Sequence, residues 1–196
     1  MSRRFVAVDL ETTGVDPKQD YIIEVGLAGE APDGHYFESE FSLPFPEEAM
    51  SEGAAAVNGW GKRLFPRLME NGPAIDYLAT MLDDVYIVGK NPSFDEAFLR
   101  LFLCGDLRSR WSGYSPKWPW HHRLVDVGCL AWGACNALEM QVIKKDKNPL
   151  SHPPNVEQVE TMVGSMRSKV GEYHTALLDA RWAYGIFRSI VPKEDS

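Results

Sequence analysis

An α/β domain of three layers is what the sequence predicts, on three observations. Three runs of β-branched, apolar or alternating residues open the chain, Phe5 to Leu10, Tyr21 to Ala28 and His35 to Leu43, joined by turns rather than helices. Helical and strand patterns alternate from there to the end, as helices covering a sheet require. The 196 residues, 44% of them hydrophobic, suffice for one sizeable core and fall short of two. Residues 1–196 are therefore expected to form a single domain.

The elements follow in order. The turn-rich GVDPKQD between the first two runs makes them a hairpin, and the third run adds another antiparallel strand. Pro44 and Pro46 break the sheet, and EEAMSEGAAAV has the composition of a short helix ending near Asn58 and Gly59. A second helix is expected over Ala74 to Leu82. Val85 to Val88 is a compact apolar strand leading into KNPSFDEAFLRLFL, where Ser93 can cap a helix with Asp95 in its first turn. Cys104 to His122, with Trp111, Tyr114, Trp118 and Trp120, shows no period and reads as an aromatic loop whose default role is a small satellite core. A short strand over Leu124 to Val127 and a helix over Gly128 to Leu138 come next. Lys144 to Asn155 reads as an exposed basic loop and Val156 to Gly164 as a helix. The last long helix runs from about Thr175 to Ile190, with Ala176, Ala180, Ala183, Phe187 and Ile190 near one face. No internal repeat or low-complexity tract interrupts this order.

Composition narrows the setting. Three cysteines, Cys104, Cys129 and Cys135, form an odd set without CxxC spacing. That pattern speaks against a disulfide framework or a zinc site and for buried free thiols in a reducing, cytoplasmic environment. No stretch approaches a membrane span, and the apolar run before Asp9 is too short for a secretory segment. The net charge of -8 argues against long-footprint binding of polyanions. It is compatible with an enzyme that grips a few terminal nucleotides, because bound cations would offset carboxylates where the phosphate sits. Clusters such as Arg3 with Arg4, Lys62 with Arg63 and Arg67, and Arg108 with Arg110 read foremost as solvated faces.

Three separated motifs carry the chemistry. In VAVDLETTG, Asp9 and Glu11 stand two apart on a strand, so both carboxylates leave one face, and two such anions resist close burial unless a cation joins them. Thr12, Thr13 and Gly14 then turn the chain and place the pair at an approachable edge. KNPSFDEAF supplies Asp95 from a helix start, and EYHTALLDA supplies His174 and Asp179. Four carboxylates from three separate elements suit Mg²⁺ or Mn²⁺, and two such ions about 3.5–4 Å apart can clamp a scissile phosphate. Five positions separate His174 from Asp179, so the two do not share a helical ridge. The histidine belongs on the loop before the helix, where its intrinsic pKa suits a general base.

In this order, DLETTG at Asp9 to Gly14, NPSFD at Asn91 to Asp95 and HTALLDA at His174 to Ala180 resemble the DnaQ-like (DEDDh) 3′-to-5′ exonuclease family, of ribonuclease H-like fold. The resemblance spans nearly the whole chain, and a histidine with four residues between it and the last aspartate fits the histidine branch. It implies an α/β/α sandwich on a mixed sheet, two divalent ions (Mg²⁺ or Mn²⁺) on Asp9, Glu11, Asp95 and Asp179, and His174 as the base. The implied reaction is hydrolysis of single-stranded DNA or RNA from the 3′ end, releasing 5′-mononucleotides. It further implies that the backbone around Leu10, Thr12 and Thr13 holds the terminal nucleotide, and that Asn91 and Phe94 position the next one. Val57, Asn58 and Trp60, in AAVNGW, would wedge or stack beside the terminal base. Asp126 takes the place of a frequent aspartate near the site. Lys90 departs from the pattern, standing where relatives often have histidine. Some members of the family are dimers that complete each other's sites, and others proofread for a polymerase; the sequence leaves both partners open. The competing expectation from another class is a binding module on the same fold that has lost catalysis, against which the complete set of five residues argues.

Overall fold

The first described element is a strand that stays at the centre of everything built later. A computed structural model describes residues 4–110, 118–137 and 173–191. Strand β1 (Arg4–Thr12) pairs antiparallel with β2 (Ile22–Glu30), which pairs antiparallel with β3 (Tyr36–Ser42). On its other side β1 runs parallel to β4 (Val85–Gly89), which is parallel to β5 (Val125–Asp126). The mixed sheet has the order β3-β2-β1-β4-β5, as three leading antiparallel strands followed by α/β crossovers require. Helix α1 (Glu52–Asn58) follows a 3-10 turn at Glu47–Ala49; α2 (Asn71–Met81) precedes β4, and α3 (Pro92–Arg110) follows it. Helix α4 (Val127–Ala137) follows β5, and α5 (Ala176–Ile190) lies near the end of the chain.

Alternation along β1 divides its side chains between two cores. Val6, Val8 and Leu10 join Leu78 and Leu82 of α2 and Phe98, Leu99 and Leu103 of α3. Ala7, with Ala28 and Val88 from neighbouring strands, meets Val127 and Ala131 of α4 and Ala180, Ala183, Ile186 and Phe187 of α5. Helices thus cover both faces, giving the three expected layers. The face toward α5 is built from small residues: Ala7 pairs with Ala28 and Asp9 with Gly26 across β1 and β2. A Cβ on Gly26 would lie 2.1 Å from the Ala176 carbonyl carbon, so only glycine lets the start of α5 rest directly on the sheet.

Several boundaries move from their expected places. Helix α2 starts three residues early because Asn71, Gly72 and Pro73 occupy its first turn, where proline needs no N–H partner. Helix α3 starts at Pro92, so Ser93 is within the first turn rather than at the cap; its hydroxyl donates to Asn91 Oδ1 at 2.9 Å. The same helix continues to Arg110, which replaces the first part of the expected loop after Cys104. Of the tryptophans in that stretch, Trp118 and Trp120 stack at 5.8 Å and pack on the α2/α3 core, with the Trp120 indole N–H donating to Glu96 at 3.1 Å. Trp111, Tyr114, the basic loop and the helix expected over Val156 to Gly164 lie outside the described residues. Cys129 is exposed, not buried as expected, because it falls on the outer side of α4. No described helix is long and apolar enough to cross a membrane.

Candidate active site

The small-residue face of β1 and β2 ends in acids. Beyond Ala7, the same face of β1 presents Asp9 and then Glu11, paired in register with Gly26 and Glu24. Helix α5 lands there. Thr175 caps it, accepting from the Leu178 amide, and Asp179 sits in its first turn, 3% exposed. The helix axis therefore points Asp179 down at the two strand acids, and ligand oxygens of Asp9, Glu11 and Asp179 all lie within 4.8 Å of one another.

Asp95 arrives from the other side of β1. It occupies the first turn of α3, and its Oδ1 accepts the Leu10 amide at 3.0 Å. Burial, opposed by that hydrogen bond and reinforced by the charge of Asp179, pushes its carboxyl up to about 7. His174 lies just before the helix cap, as expected, with its amide donating to the Val57 carbonyl at 3.3 Å. Its ring reaches Asp179 despite the spacing: Nδ1 stands 3.1 Å from Asp179 Oδ2. The contact is possible because His174 lies off the helix and its side chain turns back over the first turn.

These five residues line one cleft of about 280 Å³ together with Leu10, Val57, Lys90, Asn91 and Phe94. Three carboxylates within reach of one hard cation, with a fourth buried beside them, are a donor set that fits Mg²⁺ or Mn²⁺ and has no soft ligand. Lys90 is exposed at the rim.

The remaining residues implied by the resemblance stand outside that lining. Thr12 donates its hydroxyl to the Gly14 carbonyl at 2.6 Å, and Thr13, fully buried, accepts the Tyr21 amide at 2.9 Å, so both hold the β1–β2 turn. Asn58 is buried at the end of α1 and donates to the Thr12 carbonyl at 3.2 Å. After Gly59, whose positive φ of 74° ends the helix, Trp60 packs edge-on between Phe45 and Phe65 at 4.8 and 5.1 Å. Asp126 accepts the Cys129 amide at 2.8 Å and so caps α4.

One buried acid beside the site carries no motif. Glu24 is inaccessible to solvent, beside Glu11, and takes the Ala176 amide on Oε1 at 2.9 Å and Arg63 on Oε2 at 2.5 Å. Its signal was a lone glutamate inside the apolar run IIEVGLA. Arg63, read as a solvated base, is the partner that this glutamate needs; Arg4 is likewise committed, donating to the carbonyls of Glu30, Met81 and Asp83.

No protein-family model matches the chain. Half of it, over 103 residues, is 33% identical to a DNA polymerase III of PolC type from Thermotoga petrophila, of which the match spans 7%. Among solved structures, E. coli exonuclease I in complex with a dT13 oligonucleotide superposes with a TM-score of 0.64 at 17% identity, over 97% of this chain and 41% of that one. A product-bound structure of exonuclease I gives 0.63 at 18% identity, over 97% and 43%. The chain thus spans well under half the length of the proteins it matches. It has the ribonuclease H-like α/β fold of exonuclease I, the fold implied by its three motifs.

Proposed function

We propose that this chain, a ribonuclease H-like domain with the motif set of the DnaQ-like exonucleases, is a metal-dependent 3′-to-5′ exonuclease acting on single-stranded ends. The observation that carries the reading is the convergence of Asp9, Glu11 and Asp179 to within 4.8 Å in a cleft that Asp95 and His174 also line. Mutually repelling acids in so small a volume are a cost to the fold unless cations bind there. The dT13 oligonucleotide bound by exonuclease I makes single-stranded DNA the substrate class to which the reading leans. The Thermotoga relative, named as a polymerase, makes a proofreading context the natural extension.

Asp9, Glu11, Asp95 and Asp179 would hold two divalent ions, Mg²⁺ or Mn²⁺. Bound there, the ions would supply a water of lowered pKa and neutralise charge on the leaving oxygen. The protein's own groups do the rest. With Nδ1 of His174 bonded to Asp179, Nε2 is the nitrogen that takes the proton from the attacking water. The water oxygen bonds to the terminal phosphorus, the bond to the 3′-oxygen of the preceding nucleotide breaks, and a 5′-mononucleotide leaves. Val57 and Phe94 offer apolar surface to base and sugar, Asn91 offers hydrogen bonds, and Lys90 gives positive charge at the rim of a chain with net charge -8. A cleft of about 280 Å³ suits a terminal nucleotide rather than a duplex. All five residues of the site come from one copy of the chain, which acts as one catalytic domain, and its odd set of three cysteines without CxxC spacing goes with a reducing, cytoplasmic setting.

A quenched fluorescent single-stranded DNA assay in Mg²⁺ or EDTA tests this. Turnover should require the metal, Asp9→Ala should abolish it, and His174→Ala should lower kcat by about 10²–10⁴-fold, both variants remaining folded by circular dichroism. Undiminished turnover in folded Asp9→Ala would refute the assignment.

A further inference from the structure

Glu24 and Arg63 form a deeply buried charged pair, and the reaction outlined above uses neither. The Glu24 side chain is 0% exposed and that of Arg63 5%. Burying two charges gains little stability against the desolvation they incur, and a well-packed apolar pair would serve the core as well. Their hydrogen bonds suggest what the pair does instead. One carboxylate oxygen of Glu24 receives the Ala176 amide, the first of α5, three residues before Asp179. The other receives Arg63, whose Nε donates to the Asn58 carbonyl at 2.6 Å, at the end of α1. Asn58 is itself bonded to Thr12 at the end of β1, and its neighbour Val57 accepts the His174 amide.

We propose that the Glu24–Arg63 pair is a positioning strut for the catalytic site, fixing the start of α5, with His174 and Asp179, against the end of α1, with Val57. The inference rests on the exonuclease reading for its kinetic part and on the metal-binding acids alone for the rest. A rigid fork is what the position demands. The guanidinium meets acceptors on two elements at once and stacks on Phe65 at 3.9 Å, which in turn packs on Trp60. A lysine ammonium carries the charge but cannot reproduce that planar geometry. The aromatic cluster of Phe45, Trp60 and Phe65 is then the buttress of the strut.

The test compares wild type with Arg63→Lys and with the double variant Glu24→Gln/Arg63→Met, which removes both charges and keeps an acceptor for the Ala176 amide. Three readouts are taken: melting temperature, Mn²⁺ affinity by calorimetric titration, and kcat and KM on a single-stranded oligonucleotide. A strut predicts that the folded double variant binds Mn²⁺ at least about five-fold more weakly. Its kcat should fall on the order of 10²-fold with KM changed less than about three-fold, as displacement of catalytic groups by about 1 Å does. Arg63→Lys should fall between it and wild type. Wild-type Mn²⁺ affinity and kcat in a folded double variant would overturn the proposal. Should the double variant not fold, Arg63→Lys decides: wild-type affinity and kcat in it overturn the strut, and intermediate values support it. If the wild-type protein binds Mn²⁺ yet never turns over, the exonuclease reading fails while the affinities still decide the strut.

Discussion

Asp95 shows how a single residue would tie stability to the proposed metal binding. The residue is 6% exposed, and burial raises its carboxyl to about 7 from about 3.9 in an unfolded chain. Between those values the folded state holds a proton that the unfolded state has released, so without metal the stability contributed by this residue falls as pH rises through the window. A divalent ion reverses the preference by favouring the ionised form. In EDTA, Asp95→Asn should therefore raise the melting temperature more at pH 8 than at pH 5, and Mg²⁺ should stabilise the wild type more at pH 8. Equal shifts at both pH values would contradict this account. The acids were legible because each sits in a motif with a chemical reason for its spacing. Glu24 was not, since a lone glutamate in IIEVGLA shows neither its partner Arg63, 39 residues away, nor the helix amide it caps. Trp60 was legible as an aromatic beside Asn58, but only packing could reveal Phe45 and Phe65 as its neighbours.

At the level of elements, the contact between β2 and α5 is the one on which the geometry turns. Gly26 is paired with Asp9 and lies under the Ala176 carbonyl, so the depth at which α5 sits determines how near Asp179 comes to the strand acids. Gly26→Ala should destabilise the protein by about 1–3 kcal/mol, as overpacking of a close contact does. It should also lower kcat by more than the loss of folded protein explains. Denaturant unfolding and kinetics on the folded fraction would check both, and an unchanged kcat would show that the closeness of the helix does not matter. The sequence gives α5 clearly because Ala176, Ala180, Ala183 and Phe187 repeat on one face and all are buried. It hides the last two turns of α3, where the apolar period stops after Leu103 and Gly105 lies mid-helix, so nothing local distinguishes GDLRSR from a loop.

For the whole molecule, the order β3-β2-β1-β4-β5 gathers residues from the start, middle and end of the chain at one end of the sheet. The fold class was readable because strand pairing by hairpins and then by crossovers leaves few topologies. What stayed hidden was the mutual placement of distant segments: a hydrogen bond between His174 and Asp179 that helical spacing alone would deny, and a cleft whose lining excludes Thr12, Thr13, Asn58 and Trp60. The direction of attack is the central claim, and one gel reads it. Single-stranded DNA labelled at its 5′ end is incubated with the protein and Mg²⁺, and the same strand labelled at its 3′ end is run in parallel. Attack from the 3′ end gives a descending ladder from the 5′ label, immediate release of mononucleotide from the 3′ label, and intact strands in EDTA. A ladder from the 3′ label, or intact DNA in every lane while an oligonucleotide still binds, would contradict it.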